Sequence, residues 1–153
     1  MRRADKEIQT IAAIEDMIAR ACICHVGFSD GENPYVLPLC FGYERKTFFF
    51  HSAAEGRKID VLRHNPRVCI NVVSDYDILP NPKACSFSAR YESVIGFGEA
   101  RFLADMAEKR QAFDRIMRRY ADASLSFDYS EEALQRTVIF SVFCETLTAK
   151  VSG

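Results

Sequence analysis

The run Phe48-Phe49-Phe50-His51-Ser52-Ala53-Ala54-Glu55-Gly56-Arg57-Lys58 passes from three consecutive aromatics through a small polar tip into two adjacent cations. The aromatics suit a buried strand, Gly56 permits a turn that other residues resist, and the residues from Arg57 to His64 carry helical spacing. A strand that gives way to a helix within a few residues leaves the helix's first unpaired N–H groups beside the strand end. Ser52 adds a hydroxyl, Arg57 a planar fork and Lys58 a point charge, so the pattern reads as a site for a phosphate monoester. A solvated surface turn is the alternative reading of the same residues.

At 153 residues and 48% hydrophobic content the chain suits one domain, residues 1–153, with a sizeable core. Its net charge of −1 creates no field of one sign, which gives no support to a nucleic-acid partner or a charged membrane surface. No secretory apolar run follows Met1-Arg2-Arg3, and no stretch reaches the roughly 18 to 20 apolar residues of a membrane span, so a cytoplasmic protein is expected. The six cysteines, at 22, 24, 40, 69, 85 and 144, mostly sit in apolar runs and form no Cys-x-x-Cys pair. They are expected to be buried thiols without a metal.

Along the chain, Asp5 is placed to cap a helix running to about Arg20, with Ile8, Ile11, Ile14 and Ile18 on one stripe. Strands are expected over Cys22–Phe28 and Tyr35–Tyr43, joined by a turn at Asp30-Gly31, and a polar break leads into a third over Thr47–Ser52. The three would form an antiparallel meander. The helix Arg57–His64 ends at Asn65-Pro66, a fourth strand covers Arg67–Val73, and Asp75–Lys83, with two prolines, reads as an irregular loop. Two strands follow, Ala84–Tyr91 and Ser93–Leu103, with Gly96 and Gly98 marking a bend or a close backbone approach. Asp105–Tyr120 is an amphipathic helix whose Arg115, Arg118 and Arg119 form the solvated face. After a loop to Tyr129 and a short helical turn at Ser130, Thr137–Val151 closes the chain as a strand. This order fits a mainly β fold, a small barrel of six or seven strands with flanking helices.

Other residues admit two readings each. His51 on its strand faces core, solvent or ligand; Pro38, inside Val36-Leu37-Pro38-Leu39, marks either an edge strand or backbone exposed to a flat ligand. Phe127 and Tyr129 either cover an aromatic ligand or anchor their loop. Paired carboxylates at a useful spacing, a Gly-x-Ser-x-Gly elbow and a Gly-x-Gly-x-x-Gly turn are all absent from the sequence, which leaves ordinary hydrolase and dinucleotide-fold readings without support.

Six ordered blocks, taken together, resemble the FMN-binding split-barrel superfamily that includes pyridoxamine 5′-phosphate oxidase, and most closely its 5-nitroimidazole-resistance (Nim-type) branch. After Met1-Arg2-Arg3 they are Pro34 to Leu39 with Phe41-Gly42-Tyr43, Phe50 to Ala53, Gly56-Arg57-Lys58, Asn65 to Cys69, Ala84-Cys85-Ser86 and Tyr91 to Gly98. The resemblance implies a six- or seven-stranded antiparallel split β-barrel and a homodimer with FMN at the subunit interface. It implies that Arg57 and Lys58 hold the phosphate, that His51 and Ser52 lie along the ribityl phosphate or flavin edge, and that Val36, Leu37, Pro38 and Leu39 offer backbone to the isoalloxazine. Ser93 stands where the oxidases usually carry a glutamine that reaches the flavin.

The chain ends Thr148-Ala149-Lys150-Val151-Ser152-Gly153 without the oxidases' basic, histidine-containing segment, so vitamin B6 oxidation is not expected. The resemblance implies an FMN-dependent oxidoreductase that reduces a small planar acceptor, nitroimidazole reductase-like, with His51 as the catalytic histidine. A non-catalytic flavin- or haem-binding module is the second expectation, and a deazaflavin-dependent reductase the third.

Overall fold

The alternation Thr47-Phe48-Phe49-Phe50-His51-Ser52 sends Phe48 and Phe50, both fully buried, to one face of a strand and leaves His51 exposed on the other. This strand is β5 (Thr47–Ser52) of a computed structural model that describes residues 6–122 and 124–153. Before it come β1 (Glu7–Ile8), α1 (Ile11–Arg20), β2 (Cys24–Ser29), β3 (Pro34–Leu39) and β4 (Gly42–Glu44). After it come α2 (Arg57–His64), β6 (Arg67–Leu79), β7 (Ser88–Phe102), α3 (Met106–Tyr120), α4 (Glu131–Arg136) and β8 (Val138–Ser152).

All pairings are antiparallel, in the order β3-β2-β6-β7-β8-β5-β4, with the two-residue β1 added to β8. The end strands β3 and β4 do not pair, so the sheet curls round its core without closing, as expected of a split barrel. Phe28, Phe41, Phe48, Phe50 and Phe140 fill that core with Ile14, Met17 and Ile18 of α1. Each fully buried ring or aliphatic chain contributes about 1.5–3 kcal/mol.

Five expectations need correction. The first helix starts at Ile11 with Thr10 before it, because Glu7 and Ile8 pair with β8; the cap expected at Asp5 lies outside the described residues. The meander is broken: β2 pairs with β3 and β4 with β5, but the chain crosses from one end of the sheet to the other between Leu39 and Gly42. That crossing is held by α3. Phe41 is fully buried, its N–H donates to the Tyr120 hydroxyl at 2.9 Å, and the Arg119 guanidinium lies 3.9 Å above its ring. Gly42 lets the α3 backbone pack against it, since a Cβ there would come within 2.7 Å of the Ile116 nitrogen.

The third correction concerns β6 and β7, which form one long hairpin reaching to the pair Leu79 and Ser88. The outer part of this arm leaves Tyr76, Ile78 and Leu79 exposed, so no inside–outside alternation marked it as strand. The bend expected at Gly96 and Gly98 is a β-bulge between Phe97 and Gly98; a Cβ on Gly98 would lie 2.2 Å from the Phe143 carbonyl oxygen. The fourth is chemical. Only Cys24 and Cys144 are buried, Cys69 is half-buried, and Cys22, Cys40 and Cys85 are exposed, all as free thiols. Arg119 also leaves the solvated face expected for it: it donates to the carbonyls of Ile18, Ala19 and Ala21 and so caps the end of α1.

Candidate functional site

β5 ends at Ser52, and four residues later Gly56, at φ +120°, turns the chain into α2. A side chain would be strained at that angle, so the glycine sets where the helix begins. The N–H groups of Ile59 and Asp60 both donate to the Gly56 carbonyl, at 2.8 and 3.2 Å, and no side chain caps the helix. Those of Arg57 and Lys58 have no backbone partner among the described residues and point out of the helix start.

Three elements meet there. Arg57 lies 4.9 Å above the Tyr35 ring of β3 and 3.5 Å from Asp30 in the turn before it. Lys58 is half-buried, and burial holds its ammonium below the usual lysine range. His51 is also held below its ordinary value, first by burial and then by the positive charge of Lys58, so at neutral pH it is an uncharged imidazole. Neither His51 nor Ser52 makes a side-chain hydrogen bond among the described residues. The start of α2 thus gathers Arg57 and Lys58 with His51 beside Lys58, and Asp30, the carboxylate paired with Arg57, is already bonded by the N–H groups of Glu32 and Asn33. Such a set favours an incoming anion with several acceptor oxygens.

β3 ends the sheet. One side of it pairs with β2, Pro38 standing opposite His25, and the other carries no strand, so Val36, Leu37, Pro38 and Leu39 present an unpaired backbone edge beside Arg57. The edge-strand reading of Pro38 therefore holds. Ser93 is not brought to this place. It sits buried in β7, opposite Lys150 of β8, whereas His51 is level with Ile139, eleven residues earlier on that strand. At about 3.3 Å per residue the two levels are roughly 36 Å apart along the strand.

Sequence reasoning missed three residues here. Asp30 counted only as part of a turn, Tyr35 as a strand residue and Phe113 as one of a helical apolar stripe; the pairing and stacking they make across elements leave no local periodic signal. The His51 ring lies 5.9 Å from that of Phe113, which stacks on Tyr129 at 5.2 Å, and Phe127 continues the rank at 6.5 Å. Tyr129 is half-buried against α3, so the loop-anchor reading fits it. Among the described residues no group of three or more His, Cys, Asp or Glu is placed to hold a metal, and no helix is long and apolar enough to cross a membrane.

An open antiparallel barrel with flanking helices, whose cation-bearing β5–α2 junction stands beside a free sheet edge, defines the class as a split barrel. The sequence profile of the pyridoxamine 5′-phosphate oxidase family matches residues 10–151, and the chain belongs to that family. No curated protein matches the sequence. Among solved structures, it is 40% identical to a Bacteroides thetaiotaomicron protein provisionally designated a 5-nitroimidazole antibiotic resistance protein, with a TM-score of 0.85 over 95% of this chain and 86% of that one. Its fold is also shared by the flavocytochrome Anf3 of Azotobacter vinelandii, at 19% identity and TM-score 0.87 over 100% of this chain and 72% of that one. An FAD- and haem-binding protein of Mycobacterium smegmatis, at 16% identity, superimposes with TM-score 0.87 over 96% of this chain and 73% of that one.

Proposed function

We propose that the chain is an FMN-dependent oxidoreductase that reduces a small planar acceptor of the nitroimidazole type. The observation that carries this reading is the electrostatic state of the β5–α2 junction. Lys58 and His51 are both held below their ordinary pKa values where two helix N–H groups and Arg57 also converge, and a phosphate would relieve each of them. Flavin supplies the redox chemistry, taking electrons from a reduced donor and yielding them to the acceptor. Arg57 forks the phosphate, Lys58 and the first N–H groups of α2 complete its shell, and Ser52 donates its hydroxyl beside them. The free edge of Val36 to Leu39 offers backbone groups to the flat ring. His51, with both ring nitrogens unbonded, holds the acceptor, and once a bound phosphate offsets the charge of Lys58 it takes up a proton that it can pass on.

The partner proposed is a second copy of this chain. The outer sheet face carries exposed Val36, Val73, Ile95, Phe97 and Phe143, an apolar surface that a dimer would cover. Ser93, remote from the phosphate cradle of its own protomer, would then serve the partner's flavin. Size-exclusion chromatography with light scattering gives twice the chain mass under this reading and a single chain mass if the face is free.

The test of activity uses protein loaded with FMN, reduced under nitrogen with dithionite and mixed with a 2-methyl-5-nitroimidazole. Rapid return of the oxidised flavin spectrum supports the reductase. Reduced flavin that persists sinks it and leaves a flavin- or haem-binding module. His51→Ala with full flavin content and an unchanged rate removes the histidine from the chemistry.

A further inference from the structure

His51 is fixed by neither of the usual means. Its nitrogens have no hydrogen-bond partner among the described residues, and its strand neighbour on β8, Ile139, is apolar. What touches the ring is Phe113 of α3, tilted 31° to it with centroids 5.9 Å apart. Phe113 is backed by Tyr129 at 22° and Tyr129 by Phe127 at 19°, so three stacked rings run from α3 out to the loop between α3 and α4, with the tilted His51 ring at their inner end. These separations lie within the range in which aromatic pairs attract beyond simple burial.

The outer rings are tied down independently of His51. Arg110 donates to the Tyr129 carbonyl at 3.1 Å and lies 3.8 Å from the Asp128 carboxylate, which clamps the loop to α3. Tyr129's hydroxyl is buried beside the Asp114 carboxylate, and burial together with that carboxylate keeps it a phenol. Its ring stacks on Phe113 and its carbonyl is held by Arg110. Phe113 is held from behind by Leu103, Ala112 and Ile139.

We propose that Phe113 and Tyr129 are positioning residues: they form a fixed ring stack behind His51 that sets the plane of the imidazole and leaves both its nitrogens free toward the cofactor cradle. The proposal rests on the reading of His51 as the residue facing the acceptor, and its consequence is that the loop after α3, remote in sequence, controls the geometry of β5. The charged group facing His51 from α2 is Lys58, whereas α3 and β8 present it with Phe113 and Ile139, both apolar.

The test compares Phe113→Leu, Tyr129→Leu and Tyr129→Phe, with His51→Gln to assign the histidine signals, by NMR of the imidazole protons in protein as purified and after FMN addition. With the stack in place, Phe113→Leu and Tyr129→Leu shift the His51 ring resonances and move its titration up toward about 6.5. Nitroimidazole turnover falls about tenfold, in line with the cost of misplacing a reacting group, at unchanged flavin content. Tyr129→Phe, which keeps the ring and loses only the hydroxyl, keeps the His51 resonances and titration of wild type. The proposal is overturned if both leucine variants keep their near-ultraviolet circular dichroism and the His51 resonances and titration do not move. Should Phe113→Leu fail to fold, Tyr129→Leu decides alone, since it leaves α3 intact. Failure of the parent reading looks different: wild-type protein that binds no FMN refutes the flavin proposal while the NMR comparison still decides the stack.

Discussion

Replacing Arg57 and Lys58 together with alanine separates what holds a phosphate from what holds the fold. Each side chain would lose a charge-assisted hydrogen bond to the phosphate, about 1.5–3 kcal/mol apiece. The pair then accounts for about 3–6 kcal/mol of affinity, a weakening of about 10²- to 10⁴-fold in Kd for FMN. The fold should scarcely notice. Arg57 reaches Asp30 from an exposed position where solvent screens the pair, and Lys58 is held below its ordinary pKa by burial without a counter-charge, so removing it relieves a strain on the folded state. Flavin fluorescence titration gives the affinity, and thermal melts of flavin-free protein should agree with wild type within about 2–4 °C. Riboflavin, which has the ring and no phosphate, is the internal control. Wild type should prefer FMN to riboflavin by at least the factor that the double variant loses, leaving the variant only the smaller preference that the α2 N–H groups and Ser52 supply. A variant that binds FMN as tightly as wild type would refute the anion-site reasoning, and one that loses riboflavin and FMN equally would show that the cations act on the fold.

Three further outcomes follow from the same geometry. In Asp30→Asn the side-chain oxygen can still accept from the N–H groups of Glu32 and Asn33, so the turn persists while Arg57 sheds its carboxylate; FMN affinity should rise about three- to tenfold by the same titration. Lys58→Met should raise the His51 pKa toward about 6.5 by NMR. Because a depressed pKa makes the folded state bind fewer protons than the unfolded chain, wild-type stability should rise with pH up to about 6.5 and fall below it, and that slope should shrink in Lys58→Met. Arg119→Ala removes the cap on the α1 carbonyls and the cation over Phe41; a loss of about 2–4 kcal/mol and a fall in Tm of about 5–10 °C are expected by calorimetry.

Where residues alternate against a buried face, the sequence announced the fold. β5 runs over the expected Thr47–Ser52, α2 over Arg57–His64, and β8 differs by one residue at each end from the strand expected there. The Asp30-Gly31 turn joins β2 and β3 as its residues require. The failures share a cause. Consecutive strands were taken to pair, yet β4 pairs only with β5, because α3, more than sixty residues later, carries the backbone that packs on Gly42 and the side chains that bury Phe41. The arm Asp75–Leu79 looked like a loop because neither of its faces is covered. For the site, the strand-to-helix junction was legible as chemistry, since a glycine followed by two cations is local. Tyr35 beneath Arg57 and Phe113 behind His51 were not, because each contact joins segments that only the folded chain brings together.

The visible absorption spectrum of the purified protein, followed by mass identification of whatever heat releases, bears most directly on the central claim. The account predicts a yellow protein with the paired visible bands of an oxidised flavin and released FMN. Colourless protein that takes up neither FMN nor FAD on addition would contradict it, and a sharp Soret band with no flavin would assign the barrel to haem.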